Sequence, residues 1–425
     1  MRNLDWTKSA NIYEVNIRQY TKEGTFEAFR KHLPRLQKMG VDILWLMPVF
    51  PVGEKKRKGS LGSYYAVKDY HEINPEFGTQ DDFRKLINEA HELGMKVILD
   101  WVANHSAWDN IWAELHPEYY EKDKDGNLVS PFDWSDVIAF DYNNYELREA
   151  MNEALKYWVR DYDIDGYRCD VAGMVPTDFW DNARVELDRI KPVFMLAEDE
   201  DNPDMLRQAF DMNYFWKVHH PMNDIAKGKK KAAELWDVYD WNNSVYGADK
   251  YRMLFTCNHD ENSWNGTVNE RMGELAGEAF AAFTFVAPGF PLIYGGQEAC
   301  LEKRLKFFDK DFIDWTDLCK EEFYSKLIAL KHQNRALWNG DAGGDFTPLS
   351  RGINDDLFAF YRQKDENSVL VLMNLSDSPQ TFQLEHSDLA GDYVDFKTGN
   401  SFHYNGKHQW DFKPWEYIIL VKQTV

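Results

Sequence analysis

Short apolar, β-rich runs alternate with amphipathic stretches along most of this chain, and that alternation most narrows the folds open to it. The runs occupy residues 11–17, 42–48, 96–102, 166–170, 193–198, 209–216, 253–259 and 291–296. Helical spacing is expected at residues 25–38, 79–93, 145–159 and 179–190. In the second of these, Phe83, Leu86, Ile87 and Ala90 fall on one face, and Gly94 supplies a stop. Strands joined through helices pair in parallel and lie buried on both faces, so they read as continuous apolar runs. Eight of them predict an α/β fold, a closed (β/α)8 TIM barrel. An open doubly wound sheet competes with it but wants a glycine-rich phosphate loop after an early strand, and the sequence has none.

Two segments depart from the alternation. Residues 106–141 interrupt the chain between the third strand and its helix and carry a Lys122-Asp123-Lys124-Asp125-Gly126 turn. After about residue 340 the pattern becomes short alternating strands, with turns at Asp355-Asp356, Ser376-Asp377-Ser378 and Asn405-Gly406. The expected organisation is therefore a barrel in two parts, 1–105 and 142–339. A short domain B lies at 106–141, and an antiparallel β-sandwich spans 340–425.

Charge narrows the partners. The 425 residues include 49 basic and 71 acidic side chains, a net charge of −22. Such a surface repels phosphate backbones and anionic lipid, so neither nucleic acid nor membrane insertion is expected. The stretch 276–296 is apolar but broken by Glu278, Pro288, Gly289 and Pro291. No apolar run follows Arg2, so the chain as written reads as cytoplasmic; loss of an export signal would leave the same sequence. The four cysteines (Cys169, Cys257, Cys300 and Cys319) are too scattered for a disulfide scaffold or a zinc cluster. Cys169 and Cys257 are expected as small fillers of the barrel wall.

In a TIM barrel the active site collects at the C-terminal ends of the strands. The third strand ends in Asp100-Trp101-Val102-Ala103-Asn104-His105 and the fourth in Tyr167-Arg168-Cys169-Asp170. The fifth ends in Ala197-Glu198 and the seventh in Asn258-His259-Asp260. One acid at a strand end is ordinarily a structural ion-pair partner. Three acids at one mouth repel each other and raise one another's proton affinity, an arrangement suited to glycoside hydrolysis. Arg168, two residues before Asp170, shares its side of the strand and carries a fixed positive charge.

These strand ends resemble, in order, the four motifs of the α-amylase family, glycoside hydrolase family 13. Three further segments are similar to that family: residues 40–48, Tyr65-Ala66-Val67-Lys68-Asp69-Tyr70 leading to Phe77-Gly78-Thr79, and residues 289–298. The resemblance covers roughly residues 8–337. It implies a retaining hydrolase of α-1,4-glucosidic bonds in starch-like glucans, with Asp170 as nucleophile, Glu198 as general acid/base and Asp260 as transition-state stabiliser. It also implies that His105 and His259 bind the sugar at the cleavage subsite and that Tyr65 stacks on the same ring; Arg168 is counted with these as substrate-binding, and its fixed positive charge is expected to keep Asp170 ionised. Trp45, Trp101, Trp108, Trp216 and Trp264 are either further sugar platforms or core.

Maltogenic or cyclodextrin-opening enzymes, α-glucosidases and glucan transferases share these motifs. A non-catalytic glucan-binding barrel is the reading from another class, opposed by the presence of all three acids. The short excursion favours an open cleft acting on internal bonds. No cofactor is expected. Structural calcium is compatible with the sequence but not expected, since Gly173 and Met174 stand where many relatives carry a Lys-His pair. The loop 18–24 also lacks an acidic calcium-holding pattern. No metal ligands are assigned, and the oligomeric state is left open.

Overall fold

The computed structural model describes residues 4–423. The first strands are β1 (Ile12–Val15), β2 (Ile43–Leu46) and β3 (Lys96–Trp101), followed by a short pair, β4 (His105–Ala107) and β5 (Val137–Ala139). Then come β6 (Gly166–Cys169), β7 (Phe194–Ala197), β8 (Met212–Tyr214), β9 (Tyr251–Leu254) and β10 (Phe290–Tyr294). Eight of these close a barrel in the order β1-β2-β3-β6-β7-β8-β9-β10. Their burial is continuous, as a wall covered on both faces requires. The strands are shorter than the apolar runs because the last residues of several runs leave the ladder. Asp170, Glu198 and residues 255–259 all lie beyond their strands' ends.

Local sequence explains the helix boundaries. Thr79 caps the helix Gln80–Glu92 through a capping box with Asp82, so the helix begins one residue later than its periodicity suggests. The single helix expected at 25–38 is instead two, Phe26–Arg30 and Leu33–Met39. Pro34 has no N–H to donate and its ring clashes with the carbonyl four residues back, at Arg30, so the first helix stops there and Pro34 opens the second. At the start of β6, Gly166 has φ +151°, and a Cβ there would lie 1.8 Å from the Phe194 carbonyl oxygen. Only glycine lets β6 and β7 approach so closely.

Contacts divide the chain into two compact units. The first comprises Ile12–Tyr214 and Tyr294–Glu322. Within it, β4 and β5 pair antiparallel, and Ala107 and Val137 pack with Val52 and Ala66 in a small cluster of their own. Cys300 and Cys319, two of the four cysteines expected to be too scattered for a disulfide scaffold, form a disulfide that closes the segment between them.

The second unit comprises Asp5–Asn11, Phe215–Ile293 and Phe323–Val425. Its C-terminal part contains β11 (Asp345–Pro348), β12 (Leu357–Lys364), β13 (Asn367–Asn374), β14 (Gln380–Glu385), β15 (Gly391–Asp395), β16 (Ser401–Tyr404), β17 (Lys407–Phe412) and β18 (Tyr417–Lys422). Six form one sheet, β11-β12-β13-β18-β15-β16, and β14 pairs with β17. Leu357, Ala359, Tyr361, Leu370 and Leu372 from the large sheet meet Phe382, Leu384, Trp410 and Phe412 from the small one, giving the expected sandwich core. Residues of opposite parity on β12 face the helices of the same unit, with Phe358 stacked on Trp236 at 3.9 Å. Among the described residues, no helix is long and apolar enough to cross a membrane.

Candidate active site

In the first unit the site is built around one guanidinium. Asp100 and Arg168 are neighbours across the β3–β6 ladder, and both are fully buried. Arg168 Nη1 donates to Asp100 Oδ1 at 2.9 Å and to Asp170 Oδ1 at 3.1 Å. Its Nη2 lies 2.9 Å from Glu198 Oε1, close enough for strong attraction though not aligned as a hydrogen bond. Its Nε donates to the Tyr214 hydroxyl at 3.2 Å. Burial works against the charge on Arg168, but Asp100 and Glu198 outweigh it and hold the group well above arginine's ordinary range.

The other contacts fix the carboxylates in turn. Asp100 Oδ2 accepts from Trp45 Nε1 at 3.1 Å and from the Tyr65 hydroxyl at 3.0 Å. Glu198 Oε2 accepts from the Val171 backbone N–H at 2.7 Å. Val171 sits at φ 37°, a left-handed conformation that a β-branched residue adopts only under constraint. The residue following Asp170 is thus held in a costly conformation from which its N–H meets Glu198.

His105 opens β4 and is buried, with Nε2 3.9 Å from Asp170 Oδ2. Its Nδ1 accepts from Asn104 Nδ2 at 3.2 Å, which leaves the ring proton on Nε2, facing Asp170. Desolvation pushes its pKa down to about 3, so the ring is neutral at ordinary pH. The turn that carries it is clamped by the Tyr70 hydroxyl, which donates to the Val102 and His105 carbonyls, and by the Tyr142 hydroxyl, which donates to that of Ala103. The ring of Tyr65 lies nearly parallel to that of Phe307, with centroids 6.2 Å apart.

Tyr65, His105, Arg168, Asp170 and Glu198, named from the sequence, are therefore brought together within this unit. Sequence reading gave no role to Asp100 or Tyr214 and offered Trp45 only as a sugar platform or core, although the alternation of side chains along β3 and β6 turns Asp100 and Arg168 the same way. Trp45 and Trp101 are fully buried, so the alternative of core holds for both.

In the second unit, His259 and Asp260 follow β9 and lead into a π-helical turn, Glu261–Asn265. Such turns are rare and often occur at functional sites. His259 Nε2 is 3.2 Å from Asp260 Oδ2, and Trp264 Nε1 donates to Asp260 Oδ1 at 3.2 Å. Behind them Glu261 is buried, with Oε2 3.3 Å from His219 Nε2 and 3.5 Å from Arg271 Nη1. Burial raises its pKa, but hydrogen bonding from His219 and the charges of His219 and Arg271 prevail and bring it down to about 2.

The model of the α-amylase catalytic domain matches residues 8–137 and 131–347, most of the chain. The chain belongs to the α-amylase family. Curated relatives include the α-amylase MalA of Haloarcula japonica, 28% identical over 396 residues that span 89% of this chain and 57% of that protein. α-Amylase 2 of Dictyoglomus thermophilum is 27% identical over 447 residues, covering 93% of this chain and 74% of that one. This family member thus spans little more than half the length of the first relative. Two solved structures match along their whole length. The noncanonic maltogenic α-amylase AmyB of Thermotoga neapolitana has TM-score 0.88 and 30% identity, over 99% of this chain and 100% of that one. An α-amylase of Lactobacillus plantarum has TM-score 0.88 and 31% identity over the same shares.

At Gly173, one of the two positions where this α-amylase family member departs from the Lys-His pattern, a side chain would meet Asp199. A Cβ on Gly173 would lie 2.4 Å from Asp199 Oδ1, so the Asp199 carboxylate fills the space a side chain there would need. Of the other groups considered for calcium, Asp141 and Asn104 make local hydrogen bonds. Asp141 Oδ1 accepts from the backbone and side-chain amides of Asn143, and the Asn104 amide is engaged with His105. Among the described residues there is no cluster of three or more His, Cys, Asp or Glu side chains able to hold a metal.

The Glu261 cluster yields a pH prediction. A carboxyl whose folded pKa is depressed contributes stability above its unfolded pKa, about 4.5, and loses it as pH falls through the folded value of about 2. Glu261→Gln is expected to lower unfolding free energy at pH 7 by about 3 kcal/mol and to flatten its decline between those two values. Urea unfolding of both proteins across this range checks it; parallel pH curves would refute the assignment.

Proposed function

We propose that this protein is a retaining α-amylase-type hydrolase that cleaves α-1,4 bonds in starch-like glucans. The observation that carries the reading is the position of Asp170 and Glu198 at successive strand ends, both against the guanidinium of Arg168. Asp170, kept anionic beside Arg168, attacks the anomeric carbon while Glu198 gives a proton to the departing glycosidic oxygen. Glu198 then takes a proton from water, which displaces Asp170 and releases the sugar with its configuration retained. The neutral His105, with its proton on Nε2, can donate to a sugar hydroxyl without competing for the proton that Glu198 delivers. Asp260, fixed by Trp264 and paired with His259, binds sugar hydroxyls as the ring flattens toward an oxocarbenium ion.

The likeness to a maltogenic α-amylase at 30% identity supports maltose as a prominent product. The compact excursion around β4 and β5 supports an open cleft. Maltoheptaose blocked at its non-reducing end should therefore be cut, and proton NMR of fresh product should show the α-anomer first. Failure to cut it would exclude the open cleft, and initial β-anomer would exclude Asp170 as nucleophile. Asp170→Asn should abolish turnover. Glu198→Gln should cost about 10²–10⁴-fold on glucans but far less on substrates with good leaving groups.

We also propose that the enzyme needs no calcium; the absence of the Lys-His pair at Gly173 and Met174 and the local hydrogen bonding of Asp141 Oδ1 support this reading. A metal held only by the folded state adds several kcal/mol of stability at saturation. EDTA should leave melting temperature and activity unchanged; a large drop reversed by calcium would contradict this.

A further inference from the structure

The second unit contains a cavity of about 570 Å³ at the N-terminal ends of β9 and β10, lined also by the helix Glu234–Val245 and by β11 and β12. This is the opposite end of those strands from His259 and Asp260. Two deeply buried guanidinium groups line it, Arg252 from β9 and Arg362 from β12, each 2% exposed. The Arg252 guanidinium is stacked 3.9 Å from the Tyr246 ring centroid.

Arg362 is the unusual one. Its Nη1 reaches the Val286 carbonyl at 3.3 Å, and its Nη2 reaches those of Trp338 and Gly344 at 3.4 Å. All three bonds are long, and Nε has no acceptor. Three other buried arginines are answered by acids: Arg168 by Asp100, Arg184 by Asp211 and Arg271 by Glu261. Among the described residues Arg362 has no carboxylate partner, in a chain with 71 acidic and 49 basic residues. Burial pulls its pKa down to about 10, the signature of a charge without a counter-ion.

Lys364 and Lys250 add two further cations to a lining that also holds Asp249, Asp341 and Asp345; Lys364 Nζ donates to the Asp341 carbonyl at 2.8 Å, and Lys250 pairs with Asp249 at 3.1 Å. The Asn242 side-chain oxygen, also in the lining, is buried without a donor. Guanidinium groups present a planar fork of donors matched to tetrahedral oxyanions. We propose that this cavity binds a phosphate group, with Arg362 as its anchoring cation. The volume leaves room beside the phosphate for a sugar ring against Tyr239 and Phe346, with hydroxyls toward Asn242.

Isothermal titration of the full chain with inorganic phosphate and with glucose 1-phosphate, in chloride of matched ionic strength, tests this. One saturable site per chain is expected. Arg362→Met should weaken it at least tenfold, and Lys364→Met severalfold, with kcat/KM on maltoheptaose unchanged in both. Equal affinity for the two ligands identifies a free-phosphate site, and tighter binding of glucose 1-phosphate identifies an organic phosphate. Absence of saturable binding to the unaltered protein overturns the proposal. So does binding that survives undiminished in Lys364→Met and in Arg362→Met, with the former decisive if the latter fails to fold.

Discussion

A guanidinium taken out of water must be surrounded by negative charge, and Arg168 is surrounded by three carboxylates. Desolvating one cation costs several kcal/mol, and so does desolvating each acid, so the cluster is stable only as a whole. Asp100 is the member with no freedom: it is fully buried and held by Trp45, Tyr65 and Arg168 together. Asp170 and Glu198 lie past the ends of their strands and keep partial access to solvent. The geometry follows from the barrel. Side chains two apart on β6 point the same way, so Arg168 and Asp170 share a face, and strand pairing brings Asp100 beside Arg168.

The second unit repeats the logic with a different charge order. There the buried centre is the carboxylate of Glu261, answered by His219 and Arg271, and it anchors the π-helical turn that starts immediately after Asp260. In both units, a buried ionic cluster fixes the chain at the point where a strand gives way to a functional loop. The same principle makes Arg362 conspicuous, since its own hydrogen bonds go to carbonyls and, among the described residues, no carboxylate pairs with it.

The sequence reveals the parts that depend on short-range rules. Eight apolar runs mark the strands, Thr79 and Asp82 mark a helix start, and strand-end acids mark the mouth. Pro34 was equally visible, yet the apolar periodicity of residues 25–38 runs through it and conceals the break. Contacts distant in sequence were hidden. Nothing near Trp45 or Tyr214 announces that they hold Asp100 and Arg168, because those pairings exist only once the barrel wall is assembled. The left-handed backbone at Val171 runs against that residue's own preference and is imposed by its surroundings. The bridge between Cys300 and Cys319 depends on the path of an irregular segment, which carries no periodic signal.

The account stands on Asp170 being the carboxylate that Arg168 keeps ready for attack. Trapping it with 5-fluoro-α-D-glucosyl fluoride, followed by peptide mass spectrometry, tests this most directly. The account predicts one added fluoroglucosyl mass, located on Asp170, that disappears when a glucan acceptor is supplied. A label on any other residue, or steady fluoride release with no covalent adduct, would contradict it.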